Sequence, residues 1–338
     1  MSKKFQAFRV TEVAEKQFAT SIESLSTDDL PAGDVLIKVH YSSLNYKDAL
    51  SASGNKGVTR KFPHTPGIDA AGEVVESANT SFKKGDKVLV TGFDLGMNTA
   101  GGMAEYIRVP AEWVVALPNG LGLRESMVYG TAGLTAGLSV YQLINQGINP
   151  DMGKIVVTGA SGGVGSMAVA ILGKLGFEVV AVTGKESAHG LLKSLGATEC
   201  IGRDALNDES KRPILKPLYA GGIDTVGGNM LATILKSLQY NGVATCCGLV
   251  NSPALNTSVF PFILKGVRLI GIDSVECDIN LRKVIWDNFA SDWKVDYPED
   301  LVEEVNLSGL SDKIASILKG GIKAVSYTHL TLPTILLV

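Results

Sequence analysis

The pattern of apolar and polar positions changes near residue 126 of the chain. Before it, short apolar runs such as DVLIKV, GDKVLV and AEYIRV are separated by glycine and proline. These breaks recur at intervals of roughly 8–12 residues, a spacing typical of short strands in a sandwich or barrel. Residues 1–125 are therefore predicted to be rich in β-strands.

After residue 126, strand-like and helix-like segments alternate. KIVV precedes VGSMAVAILGKLG, FEVVAV precedes ESAHGLLKSLG, and GIDTV precedes NMLATILKSLQYNG. This alternation is typical of βαβ units, which build a parallel sheet. Because glycine favours helix ends, we expect these helices to stop at Gly176, at Gly196 and at Asn241 or Gly242. VRLIGID (267–273) is predicted to be the last strand, and NLRKVIWDNFASDW and LSDKIASILKG to be helices.

Length and composition narrow the class of protein. A chain of 338 residues exceeds the size of one hydrophobic core, so two domains are expected. A hydrophobic fraction of 45% and a charged fraction of 19% indicate a folded protein. The net charge of −3 argues against a nucleic-acid partner, which requires a basic face.

Cysteine usage and the absence of apolar segments bear on location. The sequence has no stretch of about 18 apolar residues that would span a membrane, and its first residues lack the apolar core of a signal peptide. Cys200, Cys246, Cys247 and Cys277 show no CxxC spacing, and the Cys246–Cys247 pair is predicted to be buried. We therefore expect a cytoplasmic protein with reduced thiols and no membrane association.

The stretch TGASGGVG, Thr158–Gly165, lies between a predicted strand and a predicted helix. Within a βαβ unit of about thirty residues, this context is typical of a dinucleotide-binding loop. Gly162 and Gly163 allow the backbone to approach a pyrophosphate, and Gly165 allows the helix to pack closely on the strand. No GK[ST] sequence closes the loop, so it is not a P-loop.

The end of the next strand indicates which dinucleotide is bound. An NAD site usually places Asp or Glu there for the ribose 2′-hydroxyl, whereas this chain has Thr183, Gly184 and Lys185. A carboxylate would repel a 2′-phosphate by roughly 4 kcal/mol at about 4 Å and an effective dielectric constant near 20, and a lysine reverses that sign. The sequence therefore predicts NADP(H). The alternative is that Lys185 is only a solvated charge at a helix start.

A short-chain dehydrogenase is excluded, because no tyrosine is followed by lysine four positions later. The chain instead resembles the medium-chain dehydrogenase/reductase superfamily from about Phe5 to Ile322. Within it, the chain is similar to the YhdH/YhfP group of quinone-oxidoreductase-like proteins, which includes NADPH-dependent acrylyl-CoA reductases. The motifs that carry the resemblance are HYSSLNYKDAL, PGIDAAGEV, GDKVLVTG, YGTAGLTA, VTGASGGVGSMAV, LKSLGA and PFILKGVRLIGIDSV.

The resemblance implies an α/β fold with two domains. Residues 1–125 and 275–338 would form a discontinuous GroES-like β-rich catalytic domain, and residues 126–274 a doubly wound Rossmann domain with a parallel sheet that binds NADP. The strand in VRLIGIDSV would pair across a two-fold axis, which implies a homodimer.

The resemblance also assigns cofactor contacts. It implies that the pyrophosphate is held by Ser161, Gly162, Gly163 and Val164, the 2′-phosphate by Thr183, Gly184 and Lys185, with Arg203 as a second cation, and the nicotinamide half by Leu249, Ile263 and Ser274. For the apolar members of the last group, packing in a core is the alternative.

Alcohol dehydrogenases of the superfamily use zinc, but no cysteine here precedes Cys200, so the usual zinc sites cannot be built in the first half. No metal is therefore expected, and hydride addition to an activated double bond is favoured, because the substrate's carbonyl accepts the charge. In LNYKD, Asn45 is a candidate donor to that oxygen, Tyr46 a candidate contact of the nicotinamide ribose or a hydroxyl donor, and Asp48 a residue that orients them. The resemblance places Asp69 in the same cleft.

These candidates leave alternatives open. Asp48 is equally expected as a helix-start cap and Asp69 as a carboxylate that supports a turn. The first hypothesis for function is NADPH-dependent reduction of a short 2-enoyl-CoA, above all acryloyl-CoA to propanoyl-CoA. The alternatives are a quinone or enone oxidoreductase and a non-catalytic NADPH-binding redox sensor. Basic residues that are candidates for binding the CoA phosphates are Arg60, Lys61, Arg282 and Lys283, which are equally expected to be solvated surface charges.

The C-terminal tail departs from the family pattern. Ala324 and Val325 stand where the family has glycine and arginine, and AVSYTHLTLPTILLV follows GGIK. We interpret this tail as a cloning or frameshift artefact. The alternative is that the tail is native, in which case a cationic group expected near the substrate is missing.

Overall fold

The computed structural model describes residues 2–298 and 301–319, and the backbone of residues 326–327 and 334–337. Within these residues the strands are β1 (Lys4–Ala14), β2 (Gln17–Ser26), β3 (Val35–Leu44), β4 (Asp69–Ser77), β5 (Lys87–Thr91), β6 (Tyr106–Val109), β7 (Val115–Ala116), β8 (Ile155–Val157), β9 (Val179–Val182), β10 (Ala197–Ile201), β11 (Tyr219–Asp224), β12 (Leu238–Cys246), β13 (Arg268–Gly271), β14 (Glu304–Val305), β15 (Ser326–Tyr327) and β16 (Thr334–Leu337). The helices are α1 (Tyr46–Ala52), α2 (Leu123–Asn145), α3 (Gly163–Lys174), α4 (His189–Ser194), α5 (Gly228–Ser237), α6 (Phe260–Lys265), α7 (Ile279–Phe289) and α8 (Leu310–Leu318).

The chain divides into two compact units. Unit 1 comprises Met1–Thr131, Val275–Ala290 and Pro298–Val338, and unit 2 comprises Ala132–Ser274 and Ser291–Tyr297. This division differs from the predicted one at Ser291–Tyr297, because the prediction assigned that segment to the first domain. The physical reason is that this segment packs in unit 2, where the largely buried Tyr297 hydroxyl donates to Ser166 Oγ at 2.9 Å.

Unit 2 contains a six-stranded parallel sheet in the order β10-β9-β8-β11-β12-β13. This is the doubly wound order 3-2-1-4-5-6, and it confirms the predicted Rossmann sheet. The strands β8, β9 and β11 are buried on both faces, as their near-continuous apolar runs require. The direction of strand order changes between β8 and β11, and in such sheets ligands bind outside the carboxyl ends of the strands at this point.

The predicted helix ends are confirmed at two glycines and wrong at the third. Gly176 and Gly196 follow the C-termini of α3 and α4 with φ of 79° and 111°. In contrast, α5 stops at Ser237, and Asn241 and Gly242 lie inside β12. The reason is tertiary, because Leu238 already pairs with Tyr219 in the neighbouring strand.

Unit 1 is rich in β-strands, as predicted. The central strand β3 pairs with β4 and β6 in antiparallel register, and β4 pairs with β5. Inward-facing valine and isoleucine side chains fill the core of this sheet. A second cluster contains Leu44 at the end of β3, Ala49 of α1 and Leu310 of α8, so it fixes the short helix that follows β3.

The described part of the tail contributes backbone pairing to unit 1. The backbone of Thr334–Leu337 runs parallel to residues 41–44 of β3. Ala324 and Val325, the positions that depart from the family pattern, lie outside the described residues. Among the described helices, none is both long and apolar enough to cross a membrane.

The four cysteines are free thiols. Cys277 is buried, whereas Cys200, Cys246 and Cys247 are half-buried, so the Cys246–Cys247 pair is less buried than predicted. The pair stands at the end of β12, where the strand leaves the sheet.

Candidate functional site

The glycine loop links β8 to α3 in unit 2, as predicted. Ser161, Gly162, Gly163 and Val164 form its exposed or half-exposed turn, whereas the following residues of α3 are buried. A Cβ at Gly165 would lie 2.3 Å from the carbonyl oxygen of Gly159, so only glycine lets the helix approach the loop this closely. The first turn of α3 carries no acidic residue. Its unpaired N–H groups and positive helix end therefore fit a pyrophosphate.

The residues predicted for the 2′-phosphate lie beside this loop. Ser161 Oγ and Thr183 Oγ1 are 2.8 Å apart, and the Lys185 backbone N–H donates to Thr183 Oγ1 at 3.1 Å. The Arg203 side chain packs on Gly184, where an added Cβ would lie 2.7 Å from Arg203 Nε. The structure thus brings hydroxyls and two cationic residues together, a set that fits a phosphate.

Replacing Gly184 by alanine is expected to raise the Kd for NADPH by about 3- to 10-fold, because the added methyl group pushes the Arg203 guanidinium aside. Such a change corresponds to about 1 kcal/mol. Binding can be followed by the fluorescence of NADPH. The matched control is Gly190→Ala, since a Cβ at Gly190 meets nothing within 4 Å. Equal affinities of the two variants for NADPH would show that Arg203 does not contribute to the site.

The three residues predicted for the nicotinamide half have different surroundings. Leu249 and Ile263 are 66% and 68% exposed, so packing in a core does not explain them. Ser274 is nearly buried and accepts a hydrogen bond from Thr135 Oγ1 at 2.8 Å. Leu249 lines a mainly apolar cavity of about 600 Å³, together with Gly227, Gly228, Leu231, Cys246, Cys247, Gly248, Ser252, Pro253, Ala254, Leu255, Leu269, Gly271, Ile272 and Asp273. Neither Ile263 nor Ser274 lines that cavity.

In unit 1, Asn45 is the residue before α1, and Asp48 completes a capping box with it. The Asn45 backbone N–H donates to Asp48 Oδ2 at 2.7 Å. The other oxygen of Asp48 accepts from the backbone N–H groups of Gly67 and Ile68, at 3.1 and 2.9 Å. Asp48 is fully buried, and burial raises its pKa to about 7. The alternative of a helix-start cap describes this geometry, and the cap also orients Asn45.

Asp69 is fully buried and accepts hydrogen bonds from three residues. The Asn45 amide nitrogen donates to Oδ2 at 2.8 Å, and the Ser43 hydroxyl donates to the same oxygen. Thr131 donates twice, from its backbone N–H at 2.8 Å and from its hydroxyl at 2.5 Å. Burial raises the pKa of Asp69, and these donors oppose the rise. Four donors around one carboxyl group favour the ionised carboxylate, which accepts at both oxygens.

Sequence reasoning missed Ser43 and Thr131. The signal for Thr131 is the glycine that precedes it within an otherwise helical run. Gly130 has φ of 49° and ψ of −156°, and it breaks α2 at this point. A Cβ there would lie 2.5 Å from Ser43 Oγ and 2.9 Å from Asp69 Oδ2. The break therefore lets the chain pass close to the carboxylate and directs the Thr131 N–H to it.

Asn45 and Tyr46 differ in access to solvent. Asn45 is 8% exposed, and Tyr46 is 57% exposed. The Asn45 nitrogen lies 3.5 Å from Ser43 Oγ, which is too long for a strong hydrogen bond. The Asn45 amide is therefore held chiefly by its shorter hydrogen bond to Asp69.

Arg282, one of the candidate ligands of the CoA phosphates, is neither accessible to a ligand nor a solvated charge. Its side chain is fully buried, and one guanidinium nitrogen donates to the carbonyl oxygen and hydroxyl of Thr91 at 2.6 and 2.9 Å. The guanidinium carbon lies 4.4 Å from the centre of the Phe93 ring. Arg60, Lys61 and Lys283 remain exposed. In the described residues no cluster of three or more His, Cys, Asp or Glu is arranged to hold a metal.

Comparison with known proteins identifies the family. The alcohol dehydrogenase GroES-like domain matches residues 31–119, and the zinc-binding dehydrogenase family matches residues 163–289. The putative quinone oxidoreductase YhfP of Bacillus subtilis is 43% identical over 96% of this chain and 98% of its own length. The chain belongs to the quinone-oxidoreductase-like group of medium-chain dehydrogenases/reductases. The predicted family and its GroES-like and Rossmann architecture are thereby confirmed.

Other members of the group are similarly close. The probable acrylyl-CoA reductase AcuI of Escherichia coli is 46% identical over 90% of this chain and 93% of its own length. The crystal structure of the yhdH oxidoreductase from Salmonella enterica in complex with NADP has 44% identity and a TM-score of 0.90, over 98% of this chain and 99% of that one. The crystal structure of Bacillus subtilis yhfP with NAD bound has 40% identity and a TM-score of 0.93, over 99% of both chains.

Proposed function

We propose that this protein is an NADPH-dependent reductase of activated carbon–carbon double bonds, which converts acryloyl-CoA or another short 2-enoyl-CoA to the saturated thioester. The observation that carries the proposal is the Asn45 amide, held in place by the buried Asp69 carboxylate. A carbonyl oxygen that gains negative charge requires a preorganised donor of this kind. The similarity to an acrylyl-CoA reductase and to a quinone oxidoreductase supports the same class of reaction.

NADP(H) is the proposed cofactor, and the residues fit it. The glycine loop and the first turn of α3 would hold the pyrophosphate, and Thr183, Lys185 and Arg203 would hold the 2′-phosphate. Support comes from the absence of an acidic residue at the carboxyl end of β9 and from the contact of Arg203 with Gly184. The similar Salmonella protein binds NADP.

When bound, the reduced nicotinamide supplies the hydride that the β-carbon receives. The chain's own part is to stabilise the resulting enolate and to support return of a proton to the α-carbon. We assign the second N–H of Asn45 to the thioester oxygen and the exposed Tyr46 hydroxyl to the same oxygen or to the nicotinamide ribose. Asp69 positions the Asn45 amide, and Asp48 positions its backbone. Zinc independence is supported by the lack of any cysteine before Cys200.

The experiment that tests the proposal compares initial rates of NADPH oxidation with acryloyl-CoA, crotonyl-CoA and a quinone. We expect the highest kcat/KM for acryloyl-CoA. Free CoA at millimolar concentration should compete with the thioester. If CoA does not inhibit and the quinone is the best substrate, the protein is a quinone reductase, an alternative favoured by the burial of Arg282. Tight NADPH binding without turnover of any substrate would indicate a redox sensor.

A homodimer is part of the proposal, and so is a cytoplasmic location, which the four free thiols support. The strand β13 lies at the edge of the six-stranded sheet. Apolar side chains on and near the preceding helix α6 are exposed: Val259, Phe260, Ile263 and Leu264. An apolar surface next to an open sheet edge is expected to be covered, and a second copy of the chain supplies the matching edge.

Replacing Leu264 by glutamate is expected to shift the protein from twice the chain mass to the mass of one chain. The side chain is 52% exposed, so the charge does not disturb folding but would be buried in the dimer. Sedimentation measures the change. Ile22→Glu, at another exposed apolar position in β2, is the control and should remain dimeric. A dimeric Leu264→Glu variant would contradict the proposed interface.

A further inference from the structure

Hydrogen bonds between two loops of unit 2 cross the point where the strand order changes direction. Thr158 follows β8, and Asp224 ends the adjacent strand β11. The Thr158 hydroxyl donates to Asp224 Oδ1 at 2.7 Å. Thr225 returns two bonds, from its backbone N–H to Thr158 Oγ1 at 3.0 Å and from its hydroxyl to the Thr158 carbonyl at 2.9 Å. The two loops are therefore hydrogen-bonded to each other directly where they leave their strands.

The second oxygen of Asp224 extends this connection to α5. It accepts from the backbone N–H groups of Gly227 and Val226, at 2.7 and 3.3 Å. Asp224 is fully buried, and its donors are hydroxyl and backbone N–H groups. Gly227 lines the cavity that contains Leu249. One carboxylate thus links the glycine loop to the rim of that cavity.

Three loops meet at Thr225 without room for an additional methyl group. A Cβ at Gly159, which has φ of 58°, would lie 2.2 Å from the Thr225 hydroxyl oxygen. A Cβ at Gly248, which follows β12, would lie 1.8 Å from the Thr225 carbonyl oxygen. Because the backbones are packed this closely, the loops after β8, β11 and β12 are held in one relative position.

We propose that Thr158 and Asp224 are positioning residues for the dinucleotide. They hold the glycine loop and the rim of the cavity in a fixed relative position. The inference rests on the proposed NADPH site, because the pyrophosphate is assigned to the loop and the nicotinamide half to Leu249. A dinucleotide bound at both ends requires the two subsites at a fixed separation. Because this relative position is already formed, no free energy is spent on ordering the loops when the cofactor binds.

The test compares two buried threonines of the same sheet. Thr158→Val removes the hydroxyl that joins the loops, whereas Thr245→Val removes a buried hydroxyl that has no hydrogen-bond partner among the described residues. Both substitutions keep the volume of the side chain. We expect the Kd for NADPH to rise about 10-fold in Thr158→Val and to change by less than 2-fold in Thr245→Val. An unchanged Kd in Thr158→Val would overturn the proposal.

Two further measurements separate positioning from general loss of structure. Adenosine 2′-monophosphate probes only the 2′-phosphate subsite, and its Kd should be the same in Thr158→Val and in the unmodified protein. A parallel loss of affinity for both ligands would mean local unfolding and would contradict the proposal. Asp224→Asn retains the shape but has one acceptor oxygen in place of two, so it loses the bond from either Thr158 or Gly227, and its Kd for NADPH should also rise. If the unmodified protein bound neither ligand, the proposed NADPH site itself would fail.

Discussion

Replacing Asn45 by alanine is expected to lower kcat for the enoyl-CoA by about 10²–10³-fold, the usual cost of losing one donor to a developing oxyanion. The substitution removes the N–H assigned to the thioester oxygen, whereas the residues assigned to the pyrophosphate and the 2′-phosphate lie in unit 2. The Kd for NADPH should therefore stay within about 2-fold. Single-turnover oxidation of bound NADPH measures the chemical step directly.

The control for this prediction is Asn280→Ala, which removes an exposed amide from the same unit. It should leave kcat unchanged. A double-mutant cycle then tests the role of Asp69. If the carboxylate acts by holding the Asn45 amide, Asp69→Asn should cost much less in the Asn45→Ala background than alone. Additive losses would mean that Asp69 has a separate function, and full activity of Asn45→Ala would refute the assigned donor.

The fold and the position of the glycine loop could be predicted because their determinants are local. A buried strand, a glycine turn and an apolar helix follow one another within Thr158–Gly165 and its flanks, and Lys185 stands directly after the next strand. In these segments the backbone geometry and the chemistry depend on neighbouring residues. The failure at Asn241–Gly242 has the opposite cause, since LKSLQYNG fits a helix and only the remote Tyr219 selects a strand.

The roles of the polar residues in unit 1 could not be predicted, because sequence identifies a residue type but not its burial. The sequence left two roles open for each of Asp48 and Asp69, and only the structure shows that both are fully buried and accept hydrogen bonds. Arg282 has the charge expected of a phosphate ligand, but it is enclosed by the protein. Thr131 reaches Asp69 across 62 positions, and only the break at Gly130 makes that contact possible.

Replacing Lys185 by glutamate is expected to reverse the preference for NADPH over NADH. The substitution exchanges a cation for an anion beside the assigned 2′-phosphate. At about 4 Å, a pair of unit charges contributes about 1 kcal/mol in water and about 4 kcal/mol at an effective dielectric constant near 20. Because Lys185 is exposed, the figure of about 1 kcal/mol per charge pair applies. The substitution removes one attractive pair and adds one repulsive pair, so the total loss is about 2 kcal/mol. This loss corresponds to a Kd for NADPH roughly 30-fold higher. The Kd for NADH should not rise.

The control for Lys185→Glu is Lys174→Glu, which makes the same change in net charge at the far end of α3. A helix of 12 residues separates that position from the glycine loop by about 16 Å, more than the Debye length at physiological salt. Lys174→Glu should therefore leave both affinities unchanged, and the effect of Lys185→Glu should shrink as salt is added. Equal behaviour of the two variants would make Lys185 a solvated charge at a helix start, and the preference for NADPH would then depend on Arg203 and Thr183.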